Sequence, residues 1–185
     1  MQSYTARHEA AHALVASVLG LPLKEATVHR HSLANVLGTT TLGPITAIPT
    51  MASLYKLIVF KIATNLAGNA WIPSNQSPDA VLCELADHPD LIESIQLAWI
   101  GHPLHREGWL PYDILKVLIP ALHAPAWQEA IEAGAAALLQ ELGRPVPAAV
   151  FATIARNYDL TLPEVMALAR CPSGSVEEMH ITLAN

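Results

Sequence analysis

Apolar residues near the start of the chain recur with a helical period. Leu14, Val15, Val18 and Leu19 continue that period through an alanine-rich run and give it an apolar face. Ser3 or Thr5 is placed to cap the start. Gly20, with Pro22 after it, marks the end. The pattern then changes. Between Ala26 and Ile48, β-branched residues gather at Thr27-Val28 and Thr39-Thr40-Thr41, punctuated by Asn35, Gly38 and Gly43. Two or three short strands fit there. A second helix is predicted from Met51 to Ala67, capped by Thr50 and stopped at Gly68. The segment Pro73-Ser74-Asn75-Gln76-Ser77-Pro78 reads as a loop, and Ser77-Pro78-Asp79 as a helix start. His88-Pro89-Asp90 opens another helix, running to Ile100 before Gly101. Further helices are predicted over Tyr112 to Leu122, Pro125 to Leu142, Pro147 to Asn157 and Pro163 to Arg170, with prolines near their starts and Gly143 at an end.

These elements predict a mainly α fold with a small β-sheet, of the α+β class. One domain spans residues 1–171, with short strands within 26–48, C-terminal helices within 111–170 and a loose tail over 172–185. Composition sharpens this. The 185 residues are enough to bury a real core. They are 52% hydrophobic and only 14% charged, and the excess is mostly alanine, leucine and isoleucine, which favours packed helices. Such a surplus also suits a surface covered in an oligomer. The longest apolar stretch, Met51 to Ile72, is interrupted by Lys56, Lys61, Asn65 and Asn69, so it reads as a buried helix and not a membrane span.

The formal charge of −6 argues against a nucleic-acid partner, which would need a basic face. Cys83 and Cys171 make no disulfide framework, and no basic-then-apolar leader opens the sequence, so a cytoplasmic protein with reduced thiols is expected. Trp71, Trp99, Trp109 and Trp127 read as core or interface anchors. His29 and His31 alternate on a predicted strand and share a face. His102 and His105 sit in a proline-broken loop, where they line a cleft, face solvent or form a weaker second metal site.

The first helix also holds the chemistry. It contains His8-Glu9-Ala10-Ala11-His12, an H-E-x-x-H pattern. Histidines four apart lie one turn apart on one helical face, so both imidazoles can reach one zinc ion. Glu9, beside the first histidine, can take a proton from a water activated by that zinc. The same pattern would arise in a core helix with two satisfied histidines and no metal.

The run Tyr4-Thr5-Ala6-Arg7-His8-Glu9-Ala10-Ala11-His12-Ala13-Leu14-Val15-Ala16 resembles the zinc helix of the FtsH family of ATP-dependent proteases, with Ala11 where that family usually has glycine. Lys24-Glu25-Ala26-Thr27-Val28 and Leu37-Gly38-Thr39-Thr40 are similar to the family's strand pair, in which a leucine–glycine step opens the substrate-binding edge. Asn65-Leu66-Ala67-Gly68-Asn69-Ala70 resembles its second helix more loosely, because Ala70-Trp71-Ile72 stands where an Ala-Ala-Glu-like sequence is usual. Leu160-Thr161-Leu162-Pro163-Glu164-Val165 is similar to its C-terminal helix signal. The resemblance spans most of the chain and is close over about the first forty residues.

The resemblance implies an FtsH-peptidase-like helical bundle and a zinc-dependent metalloendopeptidase. His8, His12 and Asp90 would hold Zn2+, with Asp90 carried over from Pro89-Asp90-Leu91-Ile92-Glu93-Ser94. Asp87 and His88 are competing third ligands, and a first-turn aspartate favoured by the helix dipole is the lesser alternative for Asp90. Glu9 would be the general base, and Leu37, Gly38, Thr39 and Thr40 the peptide-binding edge. The sequence has no G-x-x-x-x-G-K-[ST] phosphate loop, so the expectation is a peptidase half standing alone, acting on unfolded or flexible polypeptide or borrowing a separate ATPase partner. The family's peptidase domains form hexameric rings, which raises homo-oligomerisation as an expectation. Two alternatives stand beside this reading: a catalytically silent binding or regulatory module of the same fold, and a zinc hydrolase acting on bonds other than peptides.

Overall fold

The alanine-rich first helix is the central element of the fold. The computed structural model describes residues 2–30, 36–44, 55–62, 77, 80 and 110–163. In it the first helix, α1 (Gln2–Leu19), lies against a small sheet on one side and later helices on the other. The sheet is formed by β1 (Leu23–Arg30), β2 (Val36–Leu42) and β3 (Val146–Pro147). The helices are α2 (residues 55–62), α3 (Leu110–His123), α4 (Pro125–Gln140) and α5 (Ala148–Asn157). The described part is thus mainly helical with one antiparallel sheet, as the sequence pattern predicts. No helix among the described residues is long and apolar enough to cross a membrane.

Small residues let α1 take this position. Ala6, Ala10, Ala11, Ala13 and Ala16 are all fully buried. The backbones of α1 and α4 approach closely at Gly134, where an added Cβ would stand 2.9 Å from the Ala10 Cβ. Arg7 ties the same two helices. One of its Nη atoms donates to Gln128 Oε1 at 3.0 Å, and the other pairs with the Glu132 carboxylate. Gln128 in turn donates from Nε2 to the Leu122 carbonyl at 2.6 Å and so holds the turn between α3 and α4.

The end of α1 is as predicted. Gly20 takes the left-handed conformation, φ +65°, which residues with a Cβ rarely adopt. Its N–H donates to Ser17 O at 3.2 Å, and that of Leu21 to Ala16 O at 2.9 Å, the paired closure of a Schellman stop. The start differs from expectation. Helix already begins at Gln2, so Ser3 and Thr5 lie within it and neither caps it. The strong helix propensity of the alanine-rich run carries the helix back past both residues.

The sheet order is β2-β1-β3, with both pairings antiparallel. Val28 pairs with Gly38 and Ala26 with Thr40 on one side of β1, while Ala26 pairs with Val146 on the other. β1 begins at Leu23, three residues ahead of the predicted region. The described third strand comes from Val146–Pro147, outside residues 26–48; residues 45–48 lie outside the described part. Two residues carry no readable alternation. Pro147 is also the extended N-cap of α5, at φ −71° and ψ 153°. α4 ends at Gln140, short of the predicted Leu142, because the chain turns through Gly143 at φ +84°. There the Gly143 N–H donates to Val28 O at 2.8 Å and docks the turn on β1.

The core is filled by Leu14, Ile58, Ile62, Leu118, Ile131 and Phe151, among others. Trp127 is an anchor as expected: it is buried, and its indole N–H donates to Thr161 O at 3.4 Å. Ser77 Oγ accepts the Ala80 N–H at 3.2 Å, in keeping with a helix start at 77. The predicted helix 88–100 and tail 172–185 lie outside the described residues, as do Trp71, Trp99, Trp109, Cys83 and Cys171.

The crossing of α1 and α4 yields a direct test. A β-branched side chain at Gly134 has no room against Ala10, so Gly134→Val should destabilise the protein by about 2 kcal/mol, the usual scale of overpacking. A urea melt checks this, and an unchanged midpoint would show the helices are further apart.

Candidate metal centre

On α1, His8 and His12 face the same way, and their Nε2 atoms lie 3.2 Å apart. Two nitrogens bound to one tetrahedral zinc at the usual bond length would be separated by about 3.3 Å. The donor pair therefore fits a single tetrahedral ion. The same distance also permits one ring to donate an Nε2–H to the other. The rings meet edge to face, with centroids 4.8 Å apart at 78°.

The pair sits between aromatic side chains. Phe60, from α2, places its ring 4.7 Å from that of His12, which is itself buried. Tyr4, one turn before His8, stacks loosely over the His8 ring with centroids 6.4 Å apart. Tyr4 is partly exposed, and His8 is half-buried. Burial raises the Tyr4 hydroxyl above its ordinary pKa, so it is protonated at neutral pH.

Glu9 points into the sheet side of α1. Among the described residues the buried polar side chains are Glu9, His12 and Thr27, so two of them belong to the H-E-x-x-H segment. A carboxylate out of water needs a donor. Thr40 Oγ1 donates to Glu9 Oε2 at 2.7 Å, and lies 3.2 Å from the Glu9 carbonyl oxygen. Two residues earlier in β2, Gly38 makes space for the same side chain. A Cβ there would fall 2.3 Å from Glu9 Cγ and 2.6 Å from Oε1. Gly38 and Thr40 are paired with Val28 and Ala26, both fully buried, so this is the sheet face that packs on α1.

The structure therefore brings His8 to His12, and Glu9, on the same helix, to Gly38 and Thr40. Thr39, between the two glutamate contacts, is exposed, and Leu37 pairs with His29 in the register of β2. As predicted for this segment, β2 is the edge strand, with β1 on one side and no described strand on the other. Asp90 and its competitors Asp87 and His88 lie outside the described residues, as do His31, His102 and His105. Among the described residues no group of three or more His, Cys, Asp or Glu side chains is placed to hold a metal. His29 is exposed on β1.

Two contacts are not evident from the motif. Phe60 comes from an apolar stretch with nothing to single it out. Thr40 had a legible signal, the Gly-x-Thr spacing on a strand after the zinc helix, which sends both residues to one face. No protein-family model matches the chain, and no curated protein matches its sequence.

The fit of Glu9 against Gly38 can be tested without any assay of activity. Gly38→Ala should lower stability by about 1–3 kcal/mol, because the new methyl collides with a buried side chain. Glu9→Ala removes the colliding atoms, so Gly38→Ala should cost clearly less in that background. Equal costs in the two backgrounds would mean that Glu9 does not lie against Gly38.

Proposed function

We propose that this protein is a zinc-dependent metalloendopeptidase. The observation that carries the reading is the convergence of the two Nε2 atoms at 3.2 Å beside a buried glutamate one residue from the first histidine. The likeness of the zinc-helix and strand-pair segments to the FtsH peptidase family supports the same reading. His8 and His12 supply two nitrogen ligands, and Asp90 the third, with Asp87 and His88 as its competitors. A zinc ion held there would polarise the scissile carbonyl and acidify a bound water.

The chain's own residues do the rest. Glu9 accepts a proton as water oxygen bonds to the carbonyl carbon. It then delivers that proton to the departing amine nitrogen as the C–N bond breaks. The outer edge of β2 offers backbone N–H and C=O groups to a peptide in extended form. Such recognition tolerates many sequences but requires an extended chain, so the substrates are unfolded or flexible polypeptide segments. Folded substrates would depend on a separate ATPase partner. A ring of identical subunits would suit the apolar composition.

The test combines metal content with turnover. Purified wild-type protein should carry one zinc per chain and cleave a labelled unfolded polypeptide. Glu9→Gln should keep the zinc and lose roughly 10²–10⁴-fold in rate. His12→Ala and Asp90→Asn should lose zinc. If Asp87→Asn loses it instead, the third ligand is Asp87. Zinc-loaded wild-type protein that cleaves no unfolded polypeptide would overturn the proposal in favour of the silent binding module.

A further inference from the structure

The reading of Glu9 as general base leaves open what aims its carboxylate. A glutamate side chain has three rotatable bonds, and a base must be held near the reacting proton to be effective. We propose that Thr40 is the positioning residue for Glu9. Its hydroxyl donates to Glu9 Oε2 at 2.7 Å, and Gly38 on the same strand face leaves room for the Cγ, Cδ and Oε1 atoms. Each part of this arrangement is itself constrained. Threonine is stiff about its first side-chain torsion, so the hydroxyl direction is set by the backbone. That backbone is paired to β1 at Ala26, a fully buried position. Glu9 is in the middle of the helix that the sheet covers. The hydrogen bond therefore runs between two rigid elements, and its acceptor is an oxygen of the carboxyl group assigned as the base.

This assigns Thr40 a different part from that of a peptide-contacting residue. The edge strand binds substrate through its backbone, and through the Thr40 hydroxyl it orients the base. Peptide binding and proton transfer would then depend on one strand in two separable ways. Loss of the hydroxyl should impair turnover and leave peptide affinity intact.

The experiment uses the full-length zinc-loaded protein. Thr40→Val keeps the shape and removes the donor. It should lower kcat about ten- to a hundredfold while KM and zinc content stay within about twofold of wild type. Thr40→Ser, which restores a hydroxyl, should recover most of the lost kcat, and Thr40→Ala should behave like Thr40→Val. The bond is also read without turnover, by thermal melts of Thr40→Val alone and combined with Glu9→Leu. Removing both partners should cost less than the two single changes added together.

Unchanged kcat in both Thr40→Val and Thr40→Ala would overturn the proposal. So would a Thr40→Ser variant as slow as Thr40→Val, or strictly additive melts. If wild-type protein with zinc bound has no peptidase activity, the general-base reading fails and Thr40 falls with it. Active wild type with unaffected Thr40 variants removes Thr40 alone.

Discussion

The constraint on which this structure depends is the burial of a carboxylate on a helix packed between a sheet and two later helices. α1 is packed by the sheet and by α4 and α5, and Ala6, Ala10, Ala11 and the run Ala13 to Ala16 have no exposure. Glu9 interrupts that surface and, without donors, would be among the most costly side chains to keep there. The sheet meets this with two residues of opposite kind. Thr40 contributes a hydroxyl, and Gly38 contributes the absence of a side chain. Neither works well without the other. A hydroxyl cannot be reached if the approach is blocked, and space alone leaves the charge unsatisfied.

The same principle governs the neighbouring face of α1, about 100° round the helix, where the partner is apolar. There Gly134 and Ala10 bring two helices close together, and the interaction gained is dispersion spread over many small contacts. The two glycines thus serve contrasting purposes on one helix. One lets a helix approach, and the other lets a single side chain lie flat against a strand. The histidine pair occupies a third sector, bounded by Phe60 and Tyr4, where neither glycine acts.

How far the sequence foretold this differs from element to element. α1, its stop at Gly20 and its H-E-x-x-H face were legible because helical period, left-handed glycine and motif spacing are all local properties. The strand around Gly38 was legible from its run of threonines, and its place at the sheet edge only from the resemblance to a known strand pair. β3 was not, since Val146 and Pro147 become a strand only through β1, more than a hundred residues earlier. The early start of α1 also escaped notice: capping preference predicted Ser3 or Thr5, while the propensity of the alanines after them prevailed. Thr40 was legible as a strand residue, and its donation to Glu9 only through the register that sets it opposite Ala26. The proposed third ligand, Asp90, and its competitors Asp87 and His88 lie outside the described residues.

Arg7 immediately precedes the first histidine and is held by Gln128 and Glu132 on α4. Adjacent residues on a helix differ by about 100° in direction, so restraining Arg7 also sets the azimuth of His8 and His12 about the helix axis. A ring nitrogen standing roughly 6–7 Å from that axis moves by about 1 Å for every 10° of helix rotation, on the scale at which ligand geometry and near-attack distances are lost. α4 thereby acts as a rotational stop for the histidine pair.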